Sequence, residues 1–267
     1  MTRCGLVVTT HARADALARV LAAIAAQTRP PDELLVAEDG LDEATAGVVA
    51  RHAASSAGCP VRHLRQPHEG FRPGRIRNAA IAVMRSDYVV LLDGDMVVHP
   101  RFLADHLELA RPGHWTQGVR ILLDAEATRR VVADESALPR PWWPGLGLAR
   151  RGYALRALPL ARRLRSAGNG VVAVKGCNQG FWRHDLLVAN GFDEAITGWG
   201  SEDKELCARL ENAGVRRQTL LFAAVAWHLH HPPAPREHAA ANRARWEETR
   251  RLGRTRCEAG IDGHPAA

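Results

Sequence analysis

With 267 residues, 46% of them hydrophobic and 24% charged, the chain has the composition of a soluble globular protein long enough for a sizeable core. Its net charge of +7, carried almost wholly by arginine, suits an anionic partner: a phosphorylated ligand, an anionic membrane or a nucleic acid. Five scattered cysteines with no CxxC pair argue against a zinc site or disulfide framework, and no stretch approaches the ~20 apolar residues of a transmembrane helix.

The N-terminus lacks the apolar run of a signal peptide, so the expected location is the cytoplasm or the inner face of its membrane. "GLVVTT" (5–10) reads as a buried strand, and 15–27 as a helix with Leu17, Val20, Leu21 and Ile24 on one face. "DELLVAEDG" is a second strand ending in Asp39, 42–56 a second helix, and "VRHLRQP" a short third strand. "RPGRIRNAAIAVMR" enters a helix through Pro73-Gly74, and "YVVLLDGDMVVHP" (88–100) is a fourth strand. Asp93-Gly94 inside it is also a hairpin signal. A helix, "HPRFLADHLELARPG", follows instead of a partner strand, which favours a crossover. The alternation predicts a mostly parallel α/β sheet with helices on both faces. Ligands bind outside the carboxyl ends of such strands, so Thr9, Thr10, Asp39, Asp93 and Asp95 should share one cleft.

The pattern changes near Asp124. Residues 124–168 read as a helix, a Pro-Trp-Trp-Pro segment and an arginine-rich amphipathic stretch without sheet character. This stretch either lies on an anionic membrane or forms an acceptor-side segment with solvated arginines. Sheet character resumes at "GVVAVKGCNQGFW" (170–182). A helix spans 202–212, "RRQTLLFAAVAWHLHHP" supplies one or two strands, and 235–251 is a polar helix.

Three groupings carry chemistry. Asp93 and Asp95 flank a glycine at a strand end and could offer hard oxygen ligands to Mg²⁺ or Mn²⁺. In "GWGSEDKELCARL", Glu202 and Asp203 either complement a helix dipole or face the cleft as a general base, with Trp199 as a sugar platform or a core residue. In "WHLHHP", His228 or His231 could add a nitrogen ligand beside the carboxylates, a set suited to Mn²⁺ or Mg²⁺ more than to structural zinc.

In order and combination, "LVVTTHAR", "LLVAEDG", "GFRPGRIRNAAI", "YVVLLDGDM", "GCNQGFWRHDLLVANGFDEAITGWGSEDKELCARL" and "WHLHHP" resemble the family 2 glycosyltransferases of GT-A fold. The likeness is to the bacterial chondroitin polymerase sugar-transfer domains and, at the C-terminal part, to galactosyltransferases. It covers about residues 5–110 and 170–232, and implies a GT-A domain over 1–232, with 124–168 inserted and 233–267 as a C-terminal helix and tail.

The resemblance further implies that Thr9 and Asp39 hold the nucleoside of a UDP-sugar and that Arg77 and Asn78 lie near its base and diphosphate. Asp95 would bind the metal, with Asp93 beside it or the ribose. Gly176 and Trp182 would line the sugar pocket, Asp203 would be the base, and Glu202 would hold the acceptor hydroxyl. His228 would be the third metal ligand, His231 its competitor. The implied enzyme is a metal-dependent inverting glycosyltransferase that uses Mn²⁺ or Mg²⁺. Its acceptor would be a cell-surface glycan, a lipopolysaccharide or a lipid-linked glycan, with an anionic membrane as a peripheral contact and nucleic acid not a partner. A sugar-nucleotide pyrophosphorylase lacks its glycine-rich basic loop here, since "TTHARADAL" follows the first strand. A basic nucleic-acid-binding protein lacks a recognisable motif.

Overall fold

The computed structural model describes residues 2–56, 58–134, 136–146, 148–166 and 173–265. The seven-stranded main sheet has the order β3-β2-β1-β4-β8-β6-β9. β1 (Cys4–Thr10), β2 (Glu33–Asp39), β3 (Val61–Gln66) and β4 (Tyr88–Asp93) are mutually parallel, as are β6 (His114–Gly118) and β9 (Arg216–Leu220). β8 (Asn178–Trp182) runs antiparallel between β4 and β6. Strand alternation explains the two-sided core: Leu6 and Val8 of β1 enter one apolar cluster and Val7 the other, while Val90 and Leu92 of β4 part from Val89 and Leu91 in the same way. Helices α1 (Ala14–Ala25) and α4 (Phe102–Leu109) contribute to the first cluster, and α3 (Pro73–Val83) and α8 (Glu202–Asn212) to the second.

The predicted strand over 88–100 is two strands. β4 ends at Asp93, the chain turns through Gly94 and Asp95, and β5 (Met96–Val98) joins a second sheet of order β5-β10-β7. β10 (Ala226–His228) lies antiparallel to β5 and parallel to β7 (Arg120–Leu122). Asp93-Gly94 therefore makes a turn without a hairpin, because β4 and β5 have different partners. Gly94 donates its N–H to the Thr9 carbonyl at 2.7 Å, and a Cβ there would lie 2.9 Å from Thr10 Cβ. Only a glycine lets the turn close on β1.

β6 and β7 had no counterpart in the predicted pattern. The "GVVAVKGCNQGFW" strand begins only at Asn178; residues 170–172 of that expectation lie outside the described residues. Within 124–168, α5 (Ala125–Ala133) and α6 (Leu158–Leu164) bury Val131 and Ala161 in the main core. Arg156 is not solvated: its guanidinium forks onto the carboxylate of Asp105, which is 1% exposed. Trp142, 68% exposed, and Leu155, 54% exposed, remain on the surface. At the C-terminus, α9 (Ala239–Leu252) packs on α8, where Thr249 Oγ1 donates to Glu205 Oε1 at 2.9 Å. No helix among the described residues is long and apolar enough to cross a membrane.

A buried polar chain fixes β8 against α4. Tyr88 Oη meets Thr116 Oγ1 at 2.8 Å, and His106 reaches Thr116 through Nδ1 and Asn178 Oδ1 through Nε2. Burial lowers the His106 pKa from 6.5 to about 4, against the opposing bond to Asn178. Below pH 6.5 the unfolded chain takes up a proton that folded His106 refuses until about pH 4. This contribution is complete above 6.5 and is lost as the pH falls through that window. In urea melts across it, His106→Gln is expected to lower stability at neutral pH and to flatten the acid-side slope; an unchanged slope would remove His106 from this role.

Candidate active site

The cleft lies at the carboxyl ends of β1, β2 and β4, as the strand pattern requires. Its floor is organised by Arg77 of α3. Nη2 donates to Asp93 Oδ1 at 2.8 Å, Nε donates to Thr9 Oγ1 at 3.1 Å, and Nη1 lies 3.7 Å from Glu202 Oε1. A Cβ on Gly176 would stand 3.3 Å from Arg77 Nη1 and 3.5 Å from Asp203 Cβ, so this backbone passes between guanidinium and acid. One buried cation thus joins two strand ends to the head of α8.

On one wall, the turn after β4 carries Asp95 across to the end of β10. Asp95 Oδ2 is 3.7 Å from His228 Nε2 and 3.3 Å from His231 Nε2, and ligand atoms of all three lie within 4.8 Å of one another. Burial, then the charge of Asp93, raises the Asp95 pKa to about 6. Burial, then Arg120, lowers that of His228 to about 3, which keeps the imidazole neutral and able to ligate. Asp95 Oδ1 is buried without a hydrogen-bond partner. A largely buried carboxylate with an orphaned oxygen beside a neutral imidazole fits a divalent cation of the Mn²⁺ type. Asp93 is not in this group; its Oδ1 is engaged by Arg77.

The opposite wall is the start of α8. Gly198 and Gly200 have positive φ, and Ser201 caps the helix in the left-handed region at φ 69°. Glu202 and Asp203 follow. Burial, then Asp203, raises the Glu202 pKa to about 7, while Arg77 opposes the rise. Burial also raises Asp203, but the Lys204 N–H, Arg77 and Lys175 all favour its carboxylate. Both acids are thus held above the ordinary carboxylate range by burial, and the rise at Asp203 is opposed by the Lys204 N–H and the nearby cations.

Other predicted contacts fall elsewhere. Asn78 is 0% exposed, and its amide is spent on the Phe192 backbone and Glu194; it holds the 192–194 loop and is not open to a donor. Trp182 pairs with Tyr88 at the amino end of β4, five residues or about 16 Å from the cleft. Its indole N–H donates to the Arg111 carbonyl. The reason is that β8 runs antiparallel, away from the site. Asp39 accepts from Gln66 Nε2 and from the Arg72 N–H, both at 2.8 Å, and so fixes the entry to α3. Above it, the His11 and His68 rings stack at 4.3 Å. Trp199 is on the rim, with Arg236 5.1 Å from its ring centre.

Three cations at the site had no predicted role. Arg13 Nη1 stands 3.8 Å from Asp95 Oδ2, Arg120 opens β7 beside β10, and Lys175 sits in the field of Asp203. Arg13 was within a quoted motif, but only the β5-β10-β7 sheet brings Arg120 near His228.

With this geometry in place, comparison with known proteins is decisive. A profile of the "Glycosyltransferase like family 2" sequences matches residues 2–249. The chain belongs to that family.

This glycosyltransferase is similar to chondroitin synthase of Escherichia coli, 24% identical over 85% of the chain; the match spans about a third (34%) of that relative. Its fold is GT-A. Solved structures of the same fold include S. aureus TarS 1–349 in complex with UDP (TM-score 0.58, 15% identity, 86% of this chain and 61% of that one). Another is mannosyltransferase PcManGT from Pyrobaculum calidifontis in complex with GDP-Man and Mn²⁺ (TM-score 0.58, 18% identity, 91% and 60%).

Arg77→Gln in the glycosyltransferase leaves Asp93 and Glu202 facing each other without their shared cation. Breaking a buried pair costs roughly 3–5 kcal/mol, and partial solvation of Asp93 puts this case at the lower end. A clearly lowered melting temperature together with lost turnover is expected by scanning fluorimetry and a nucleotide-release assay; wild-type values for both would refute the hub.

Proposed function

We propose that this glycosyltransferase moves a hexosyl or N-acetylhexosaminyl group from a UDP-sugar to an acceptor hydroxyl, using Mn²⁺ or Mg²⁺ and inverting the anomeric carbon. The acceptor is a cell-surface glycan, a lipopolysaccharide or a lipid-linked precursor. The observation that carries this reading is the pairing of two walls. Asp95, His228 and His231 form one, Glu202 and Asp203 the other, and Arg77 with Asp93 bridges them. The UDP complex of TarS and the Mn²⁺ complex of PcManGT support the donor and the ion.

Asp95, His228 and His231 would hold the ion, which supplies charge neutralisation at the diphosphate. Arg13 and Arg120 add fixed positive charge on that wall. Across the cleft, Asp203 accepts the proton of the acceptor hydroxyl as its oxygen bonds to the anomeric carbon. The bond from that carbon to the diphosphate breaks, and its electrons leave with the nucleotide. Glu202, raised to about 7 by burial and by the charge of Asp203, orients the hydroxyl. A single displacement of this kind inverts the centre. The exposed Trp142 and Leu155 suit a lipid-facing edge for a membrane-bound acceptor at the cytoplasmic side.

A panel of UDP- and GDP-sugars with and without Mn²⁺, read by thermal shift and nucleotide release, tests the reading. A metal-dependent response to a UDP-sugar is expected, and silence across the panel overturns it. Asp95→Ala should lose both UDP–Mn²⁺ affinity and turnover. Asp203→Asn should cut turnover by about 10²–10⁴-fold with affinity nearly unchanged; near-normal turnover would move the base role to Glu202.

A further inference from the structure

The stretch 124–168, to which the motifs assign no catalytic part, reaches the histidine wall through the hydroxyl of Thr128. β10 ends at His228, and His231 must come back beside it for both Nε2 atoms to face Asp95 Oδ2, at 3.7 and 3.3 Å. An extended chain could not do this. Residues three apart in a strand point to opposite faces and lie about 10 Å from each other. The His228 and His231 ring centres are 5.0 Å apart, so the chain bends directly after β10.

Three hydrogen bonds fix that bend. The His228 carbonyl accepts from the Leu123 N–H at 3.0 Å, the Leu229 N–H donates to the Asp95 carbonyl at 2.9 Å, and the His230 N–H donates to Thr128 Oγ1 at 2.7 Å. The first two join backbone to backbone, whereas the third depends on one side chain. Beyond His231 stand Pro232 and Pro233, which have no N–H to anchor the chain further. His231 Nδ1 meets the Pro232 carbonyl at 2.6 Å. A carbonyl only accepts, so in the neutral ring the proton sits on Nδ1 and Nε2 keeps its lone pair toward Asp95.

Thr128 can act as a fixed point because α5 is held near both ends. Asp124 caps its start, with Oδ1 accepting the Ala127 N–H at 2.8 Å. Toward its end, Arg19 of α1 donates from Nε to the Val131 carbonyl at 2.7 Å. Ala127 and Val131 are buried in the main core, and Thr128 shares their face of the helix. Packing alone would be served there by valine, which has nearly the same shape. The hydroxyl is what meets the His230 N–H.

We propose that Thr128 is a positioning residue for the cation site: by fixing the backbone between the two histidines, it brings His231 to Asp95 beside His228. The assignment rests on the reading of Asp95, His228 and His231 as the holders of a divalent cation. It gives the inserted segment a part in binding that cation, through α5.

Thr128→Val removes the acceptor and keeps the shape, while Thr128→Ser keeps the acceptor. Mn²⁺ titrations of the full chain with UDP present, read from the EPR signal of free Mn²⁺, test the proposal. Thr128→Val should bind about tenfold more weakly, the lower end of the roughly 10–100-fold loss seen when a ligand's support is removed. Thr128→Ser should stay near wild type. In the metal-free chain, amide hydrogen exchange in the peptide carrying His230 should be faster in Thr128→Val and unchanged in Thr128→Ser. A lowered melting temperature at wild-type Mn²⁺ affinity would make Thr128 a packing residue and overturn the proposal, as would unchanged exchange in Thr128→Val. Failure of the wild-type chain to bind Mn²⁺ would count against the cation reading, while the exchange measurement would still decide whether Thr128 fixes the histidines.

Discussion

Arg77 is the contact on which the cleft depends. A guanidinium fixed on α3 meets the end of β1 through Thr9, the end of β4 through Asp93 and the head of α8 through Glu202. Without a cation at this point, three acids would face one another in a poorly solvated space. Their mutual repulsion would open the cleft or protonate the acids. The same residue therefore stabilises the fold and sets the charge state of the proposed catalytic pair. Phe192, whose ring centre is 5.3 Å from the guanidinium carbon, closes it off from the other side.

The second constraint is the turn at Gly94. Close approach to Thr9 and Thr10 forces the chain out of the main sheet directly after Asp93. That bend separates the two aspartates by function. Asp93 stays with Arg77 on the floor, and Asp95 is delivered to the histidines at the end of β10. Four buried atoms without a hydrogen-bond partner lie at this cleft: Asp95 Oδ1, Arg13 Nη1, Arg77 Nη1 and Arg120 Nε. Such atoms are costly in a finished fold, and they become reasonable where a charged ligand is to bind between them.

The helical wall shows how position and environment divide labour between two like residues. Glu202 and Asp203 occupy successive places in the first turn of α8, reached through a left-handed Ser201. Asp203 has a backbone N–H and two lysines near it, whereas Glu202 has mainly Arg77.

Much of this was written locally. Apolar runs ending in Thr9, Asp39 and Asp93 determined a parallel sheet and the side on which its ligands bind, because strand period and crossover handedness are short-range matters. The motifs around Asp95, Glu202, Asp203 and His228 marked the site for the same reason. Tertiary structure alone decided the rest. It broke 88–100 into two strands, since pairing partners lie up to 132 residues away, as between Met96 and His228. It sent Trp182 to the far end of the sheet, because strand direction is not encoded in strand composition. It buried Asn78 under a loop from 192–194 and gathered Arg13, Arg120 and Lys175 from separate elements. Periodicity can say which face of an element is apolar, but only packing determines what that face meets.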